Sequence, residues 1–403
     1  MKKLLVKNIG LLATPEGKSA HRGEEQGKIK FLKDAWVLIE DSIIASVGTG
    51  AVPAVEGAEV VDAEGHLVTP GLVDAHTHLI FGGWRQNELG LKLHGASYLD
   101  IQNAGGGIQS TTNATRQASE QELAAKASKA LDEMMGFGTT TVEAKSGYGL
   151  ATEHELKALE VIKDLNDHHL MDLVATFMGA HLVPAEYKSN REEYVRLVCE
   201  EMMPKVKEQG IAKFCDVFCE ADTFTVEESR QVLEAGLKYG LRPKIHAIGG
   251  SQLAGEIGAI SAEHLIVCPP EGIASMAKGG VIACLLPATS FNLGAVFAPA
   301  RDMVKAGVPV AMATDFNPGS CPCLNMQFVI NLGCLKYKLT PEEVLTAVTL
   351  NGAAAIDLAD KVGSVEEGKM GDLVIWDAPD LDYICYRVGS NLAKTVIKRG
   401  EIV

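Results

Sequence analysis

Residues 66–78 read His66-Leu67-Val68-Thr69-Pro70-Gly71-Leu72-Val73-Asp74-Ala75-His76-Thr77-His78. The apolar, β-branched run up to His76 reads as a strand buried on both faces, the kind found in parallel sheets. His76 and His78 are two residues apart, so on a strand both imidazoles point to the same side and can share one ion.

Seven similar apolar runs follow: Thr139–Ala144, Leu173–Gly179, Phe214–Cys219, Pro243–His246, Ala259–His264, Gly280–Leu286 and Val308–Thr314. Between them lie segments of helical period and composition, such as Glu120–Met135, Glu153–Asn166, Glu192–Gln209 and Glu227–Tyr239. Eight strands alternating with helices predict an α/β fold, a (β/α)8 barrel over residues 66–360. The rival, a doubly wound open sheet, is weakened because no GxGxxG follows a first strand. Gly105-Gly106-Gly107 follows no strand and reads as a flexible active-site loop or the start of a helix.

The two ends differ from the middle. Ala35–Ile39 and Ser42–Val47 are short β-rich runs around the turn-like pair Glu40-Asp41, and Asp372–Trp376 and Thr395–Ile397 repeat the pattern near the C-terminus. Neither end has enough strands to stand alone. A small β-sandwich assembled from residues 1–65 and 361–403 is the economical solution.

The chain has 403 residues, roughly 2–3 domains at about 150 residues each. It is 47% hydrophobic and 22% charged, a globular composition that excludes disordered and fibrous classes. Its 37 Lys and Arg against 52 Asp and Glu give a net charge of −15, with no basic cluster, which argues against nucleic acid as a partner. An anionic small molecule would have to be captured by a local basic group. The first residues, MKKLLVKNIGLLATPEG, carry an apolar run broken by Lys7 and Asn8, which is not a convincing leader. No apolar run reaches the ~18 residues of a membrane span. Nine scattered cysteines read as reduced thiols of a cytoplasmic protein.

The histidines carry the chemistry. Of eleven, His76, His78, His181, His246 and His264 sit at the C-terminal ends of the predicted strands, and Asp315 ends the eighth. Those ends converge on one face of a barrel. Taken singly each is ordinary, a buried histidine or a loop aspartate. Together, His76, His78, His246 and Asp315 form a nitrogen and oxygen ligand set suited to Zn2+ or Fe2+, with a position open for water.

Val68–His78 resembles the first-strand signature of the amidohydrolase superfamily. Within it the chain resembles the imidazolonepropionase family nearly end to end, through Phe81–Arg85, Ala104–Thr111, Glu143–Gly149, Thr176–Pro184, Asp216–Glu220 and Thr314–Ser320. The resemblance implies opening of the ring of 4-imidazolone-5-propanoate to N-formimidoyl-L-glutamate in histidine degradation. Metal-activated water would attack the cyclic amide carbonyl. It implies one divalent ion, Zn2+ or Fe2+, on His76, His78, His246 and Asp315. Arg85, Tyr148, His181, Asn317, Gly319 and Ser320 would bind substrate, and the assembly would be a homodimer. Arg85 suits a bidentate grip on the carboxylate. His181 suits donation to a ring oxygen or oxyanion, and the Asn317–Ser320 loop offers an amide, backbone N–H groups and a hydroxyl. Asp315 would take the water proton, with His264 as orienter or proton carrier.

One position departs from the family. Three residues after His246 the family carries Glu or Gln, and this chain has Gly249 in a shortened segment. Glu220, Glu256 and His264 are the candidate substitutes. Glu263 is disfavoured because neighbours on a strand face opposite ways. Two other readings stay open: a related cyclic amidohydrolase or aminohydrolase with a reshaped loop after strand 5, and a binding protein that keeps the pocket without the chemistry.

Overall fold

The computed structural model describes residues 2–96, 100, 105–220, 223–247 and 249–403. Ala104 of the segments quoted above, and Ile248 between His246 and Gly249, lie outside the described residues.

The deciding stretch divides in two. β5 (Leu67–Pro70) belongs to the sheet built by the termini and β6 (Leu72–Thr77) to the central barrel. Gly71 between them is packed so closely that a Cβ would stand 2.3 Å from Thr140 Oγ1. Its N–H donates to Asp372 O in the terminal domain, while that of Leu72 donates to Gly138 O in the barrel. Periodicity alone does not expose this break, because both halves are fully buried.

The barrel is a parallel sheet in sequential order: β6, β7 (Thr139–Lys145), β8 (Asp172–Ala180), β9 (Phe214–Cys219), β10 (Arg242–Ala247), β11 (Ser261–His264), β12 (Ile282–Leu285) and β13 (Val310–Met312). It closes just beyond the strand ends. His78 N–H donates to Phe316 O (2.9 Å) and Asp315 N–H to His76 O (3.0 Å). Asp74 reinforces the seam by accepting from Thr314 N (3.0 Å) and Thr314 Oγ1 (2.5 Å). The closure that brings two histidines beside Asp315 is therefore built from the same residues.

The helices follow their sequence signals. Glu120–Gly136 starts in a Ser119/Glu122 capping box, worth about 1 kcal/mol, and buries Leu123, Ala127, Leu131 and Met134 at helical spacing. Full burial of each larger apolar side chain adds ~1.5–3 kcal/mol. The segment expected as Glu192–Gln209 is Arg191–Leu197, a π-helical turn Val198–Met202, and Met203–Gln209. Pro204 has no N–H to give the turn before it, and a widened turn accommodates its ring. Gly107 precedes the helix Ile108–Gln117 at φ +76°, so the glycine run leads into a helix.

Both termini build the small domain. β1 (Lys3–Thr14), β2 (Lys30–Glu40), β3 (Ile43–Thr49), β4 (Glu59–Asp62), β5, β14 (Leu373–Trp376), β15 (Ala393–Lys398) and β16 (Glu401–Ile402) form one mixed sheet. Its path runs β16-β15-β14-β5-β1-β2-β3, with β4 also on β1, around a core that includes Val6, Val37, Ile44, Leu373 and Ile397. Asp41 and Ser42 take positive φ in the two-residue turn between β2 and β3. All nine cysteines are free thiols, and no described helix is long and apolar enough to cross a membrane.

Candidate active site

Four strand ends bring five side chains together at the base of a cavity of about 320 Å3. His76 and His78 arrive from β6, His246 from β10 and His264 from β11, while Asp315 follows β13. The His76 ring lies 4.5 Å from that of His246, and Asp315 Oδ1 lies 3.5 Å from His76 Nε2 and 3.6 Å from His78 Nε2. His78 Nε2 is 3.2 Å from His246 Nε2. Burial holds His76, His78 and His264 well below the ordinary imidazole range, so the rings are neutral, the form that ligates.

A divalent ion fits this site. Both nitrogens of His76 and Asp315 Oδ1 are buried with no hydrogen-bond partner among the described residues, a costly arrangement unless something binds them. His76, His78 and Asp315 offer atoms within 4.8 Å of one another, as do His76, His246 and His264. The donors are imidazole nitrogens and a carboxylate, which suit zinc or iron. Burial pushes the Asp315 carboxyl up to about 6, and its Oδ2 accepts from Thr289 Oγ1 (2.6 Å), which fixes Oδ1 toward the histidines.

The expected substrate residues Arg85, Tyr148, His181, Asn317, Gly319 and Ser320 all line this cavity. Their chemistry differs in three respects from the sequence-based expectation. Arg85 already makes a bidentate pair with buried Glu88, Nε to Oε1 at 2.8 Å and Nη2 to Oε2 at 3.0 Å, so that edge is spent, and its Nη1 lies on the side toward Gly319. His181 Nδ1 lies 2.9 Å from Gly147 O. A carbonyl only accepts, so Nδ1 carries the proton. Burial lowers the pKa of the ring to about 4, and the neutral ring presents Nε2 as an acceptor, not the donor expected. The Asn317 amide is spent within its own loop. Its Nδ2 donates to Asp315 O (2.7 Å), and its Oδ1 accepts from Gly319 N (2.9 Å) and Ser320 N (2.8 Å). Asn317 thus shapes the loop that carries Gly319 and Ser320.

Of the candidates to replace the residue missing at 249, only His264 lines the cavity. Glu256 is on the outer helix Ser251–Ile257, paired with Arg230. Glu220 donates its backbone N–H to Phe224 O and is not among the lining residues. Gly249 is exposed, with open space where a Cβ would stand. Glu263, expected to face away, does not. His264 has φ +65°, which breaks strand alternation and turns its ring inward, so Glu263 and His264 both face His246. Glu263 is nonetheless committed below the cavity, accepting from Ser261 Oγ (2.5 Å) and Ile245 N (3.2 Å).

The sequence reading missed the ionic layer beneath the histidines. Lys145 Nζ lies 2.6 Å from Glu143 Oε1 and 2.8 Å from Asp216 Oδ2, and Asp216 Oδ2 lies 3.0 Å from His246 Nδ1. Burial opposes ionisation of Asp216, but His246 and Lys145 outweigh it and hold the carboxyl well below its usual range. Glu143 and Lys145 alternate with Val142 and Ala144, a signal that charges face the interior of a barrel.

Residues 67–403 match the model of the amidohydrolase family. Among curated relatives, the imidazolonepropionase of Alkaliphilus metalliredigens is 51% identical, with 100% of this chain and 98% of that protein covered. That of Brevibacillus brevis is 49% identical at the same coverage. Among solved structures, atrazine chlorohydrolase from Arthrobacter aurescens TC1 complexed with zinc superposes with a TM-score of 0.73 at 18% identity, covering 99% of this chain and 94% of that one. An adenosine deaminase from Xanthomonas campestris with bound zinc gives 0.70 at 20% identity, with 100% and 92% covered. These two likenesses concern the fold.

Proposed function

The chain belongs to the amidohydrolase family, and from that membership we propose that it hydrolyses 4-imidazolone-5-propanoate to N-formimidoyl-L-glutamate in a metal-dependent reaction. The observation that carries this reading is the placement of Asp315 Oδ1 beside two ligand-ready imidazoles, in the cavity that Arg85 also lines. Relatives named imidazolonepropionase at about half identity over the whole chain support the substrate.

His76, His78, His246 and Asp315 would hold one divalent ion, zinc or iron(II). When bound, such an ion polarises a carbonyl and acidifies a water. The remaining work falls to this chain's side chains. Arg85 uses its Nη1 end to grip the propanoate carboxylate, while Glu88 keeps the guanidinium from swinging away. His181 Nε2 accepts a ring N–H, and Ser320 with its loop borders the ring. Asp315 Oδ1 takes the proton of the attacking water as the new C–O bond forms. As the C–N bond breaks, Asp315 gives up the proton it took, and the neutral His264 ring, accepting at one nitrogen and donating from the other, relays it to the leaving ring nitrogen. With Gly249 in place of the family's Glu or Gln, His264 is the titratable side chain in the cavity suited to that transfer.

The test supplies metal-replete protein with 4-imidazolone-5-propanoate and follows loss of its ultraviolet absorbance, with the product identified as N-formimidoyl-L-glutamate. Turnover above the spontaneous rate, abolished by chelation, is expected; its absence overturns the reading.

A further inference from the structure

We propose that Lys145 is a positioning residue for the metal centre, acting on His246 through Asp216. The inference rests on the ligand assignment above. Lys145 leaves β7 inside the barrel and is fully buried, as are Glu143 and Asp216. Its ammonium is clamped between Glu143 Oε1 (2.6 Å) and Asp216 Oδ2 (2.8 Å), and Glu143 Oε1 in turn accepts from Thr176 Oγ1. The same Asp216 oxygen stands 3.0 Å from His246 Nδ1. The approach is close but out of line for a hydrogen bond; the negative charge so near Nδ1 still favours the imidazole with its proton on that nitrogen and leaves Nε2 bare toward His78 and the centre. The partner on the far nitrogen fixes a ligating histidine's tautomer and ring orientation. Here that partner is itself fixed by an ammonium, so β7, β9 and β10 are registered by one chain of charges. Asp216 Oδ1 is buried with no hydrogen-bond partner among the described residues, so Oδ2 anchors the carboxylate. Removal of the ammonium would free that anchor, and His246 would lose its orientation.

Such outer partners change metal affinity by about 10–100-fold. The experiment uses the full chain, stripped of metal and titrated with zinc against a chromophoric chelator; circular dichroism checks the fold of each apo variant. Lys145→Met is expected to bind zinc at least 10-fold more weakly. Asp216→Asn should do the same, and the double variant should bind no more weakly than Asp216→Asn, because both act on one path. Loss of a lone charge from a buried cluster endangers folding. The paired Glu143→Gln/Lys145→Met variant removes one charge of each sign and keeps the cluster balanced, and it should show the same loss. A folded Lys145→Met or paired variant that binds zinc within twofold of the parent overturns the proposal, as do losses that multiply in the Lys145→Met/Asp216→Asn double variant. His78→Ala separates the two readings: if it leaves zinc affinity unchanged, the ligand assignment falls; if it abolishes binding while Lys145→Met does not, only the role of Lys145 falls.

Discussion

Arg85 lies against the bare α-carbon of Gly319: a Cβ on residue 319 would stand 2.1 Å from Arg85 Nη1. The guanidinium cannot simply retreat, because its opposite edge is held by Glu88, which also accepts the Gly107 N–H at 2.7 Å. Gly319→Ala should therefore push the Nη1 end out of line with a substrate carboxylate. A charge-assisted hydrogen bond contributes about 1.5–3 kcal/mol, so KM should rise roughly 10–150-fold with bound metal unchanged. Arg85→Ala is the limiting case, with a larger loss of kcat/KM. Steady-state kinetics beside metal analysis checks both, and an unaltered KM in either variant removes this contact from substrate binding.

His181 supports a prediction about hydrogen-bond direction. With Nδ1 committed to Gly147 O, the ring offers substrate an acceptor. His181→Asn keeps a donor near Gly147 but removes the distal acceptor, and an unanswered buried N–H costs about 1–3 kcal/mol. We expect kcat/KM to fall by about 10-fold or more while zinc affinity stays at the parent level. His181→Gln, whose amide oxygen reaches toward the Nε2 position, should recover part of the loss. Equal activity of the two variants would contradict the acceptor role.

What the sequence disclosed and what it hid follow from how each feature is encoded. The barrel strands were legible because parallel strands are apolar on both faces, and the helices because capping boxes such as Thr225/Glu228 mark their starts. His76 and His78 were legible because period 2 sets their common face without tertiary information. Three features depend on contacts that no local pattern records. Gly71 splits one apolar run between two domains because of Thr140, a residue far along the chain. His264 faces inward beside Glu263 because its backbone is left-handed, where strand periodicity predicts opposite faces. Asn317 has the composition of a ligand reader, yet its amide is consumed by the loop it closes.

Metal removal should affect stability as well as turnover. His76 has two unpartnered buried nitrogens, and the ligands come from β6, β10 and the end of β13, so an ion there ties together distant parts of the barrel. Chelation should abolish hydrolysis, with recovery on adding zinc or iron(II). Thermal unfolding should become dependent on metal concentration, with about 2.7 kcal/mol of added stability at free metal 100 times Kd. Equal midpoints for apo and metal-replete protein would show that the ion does not bind the folded site.

Lys126 carries a pH prediction away from the metal ligands. Its ammonium lies 3.7 Å from the centre of the Phe81 ring and 4.6 Å from that of Trp84, and it donates to Gly83 O at 3.0 Å. Burial against these groups lowers its pKa from the ordinary 10.5 to about 8. Between those values the unfolded chain keeps the proton that the folded protein has released, so the contribution of Lys126 to stability rises with pH over that window. The urea midpoint of the parent relative to Lys126→Met should therefore shift in favour of the parent between pH 7 and pH 10. The local signal is sharper: Trp84 loses a neighbouring charge as Lys126 titrates, so tryptophan emission should change with a midpoint near pH 8 in the parent and stay flat in Lys126→Met. A transition of equal size in both proteins would assign the titration to another group.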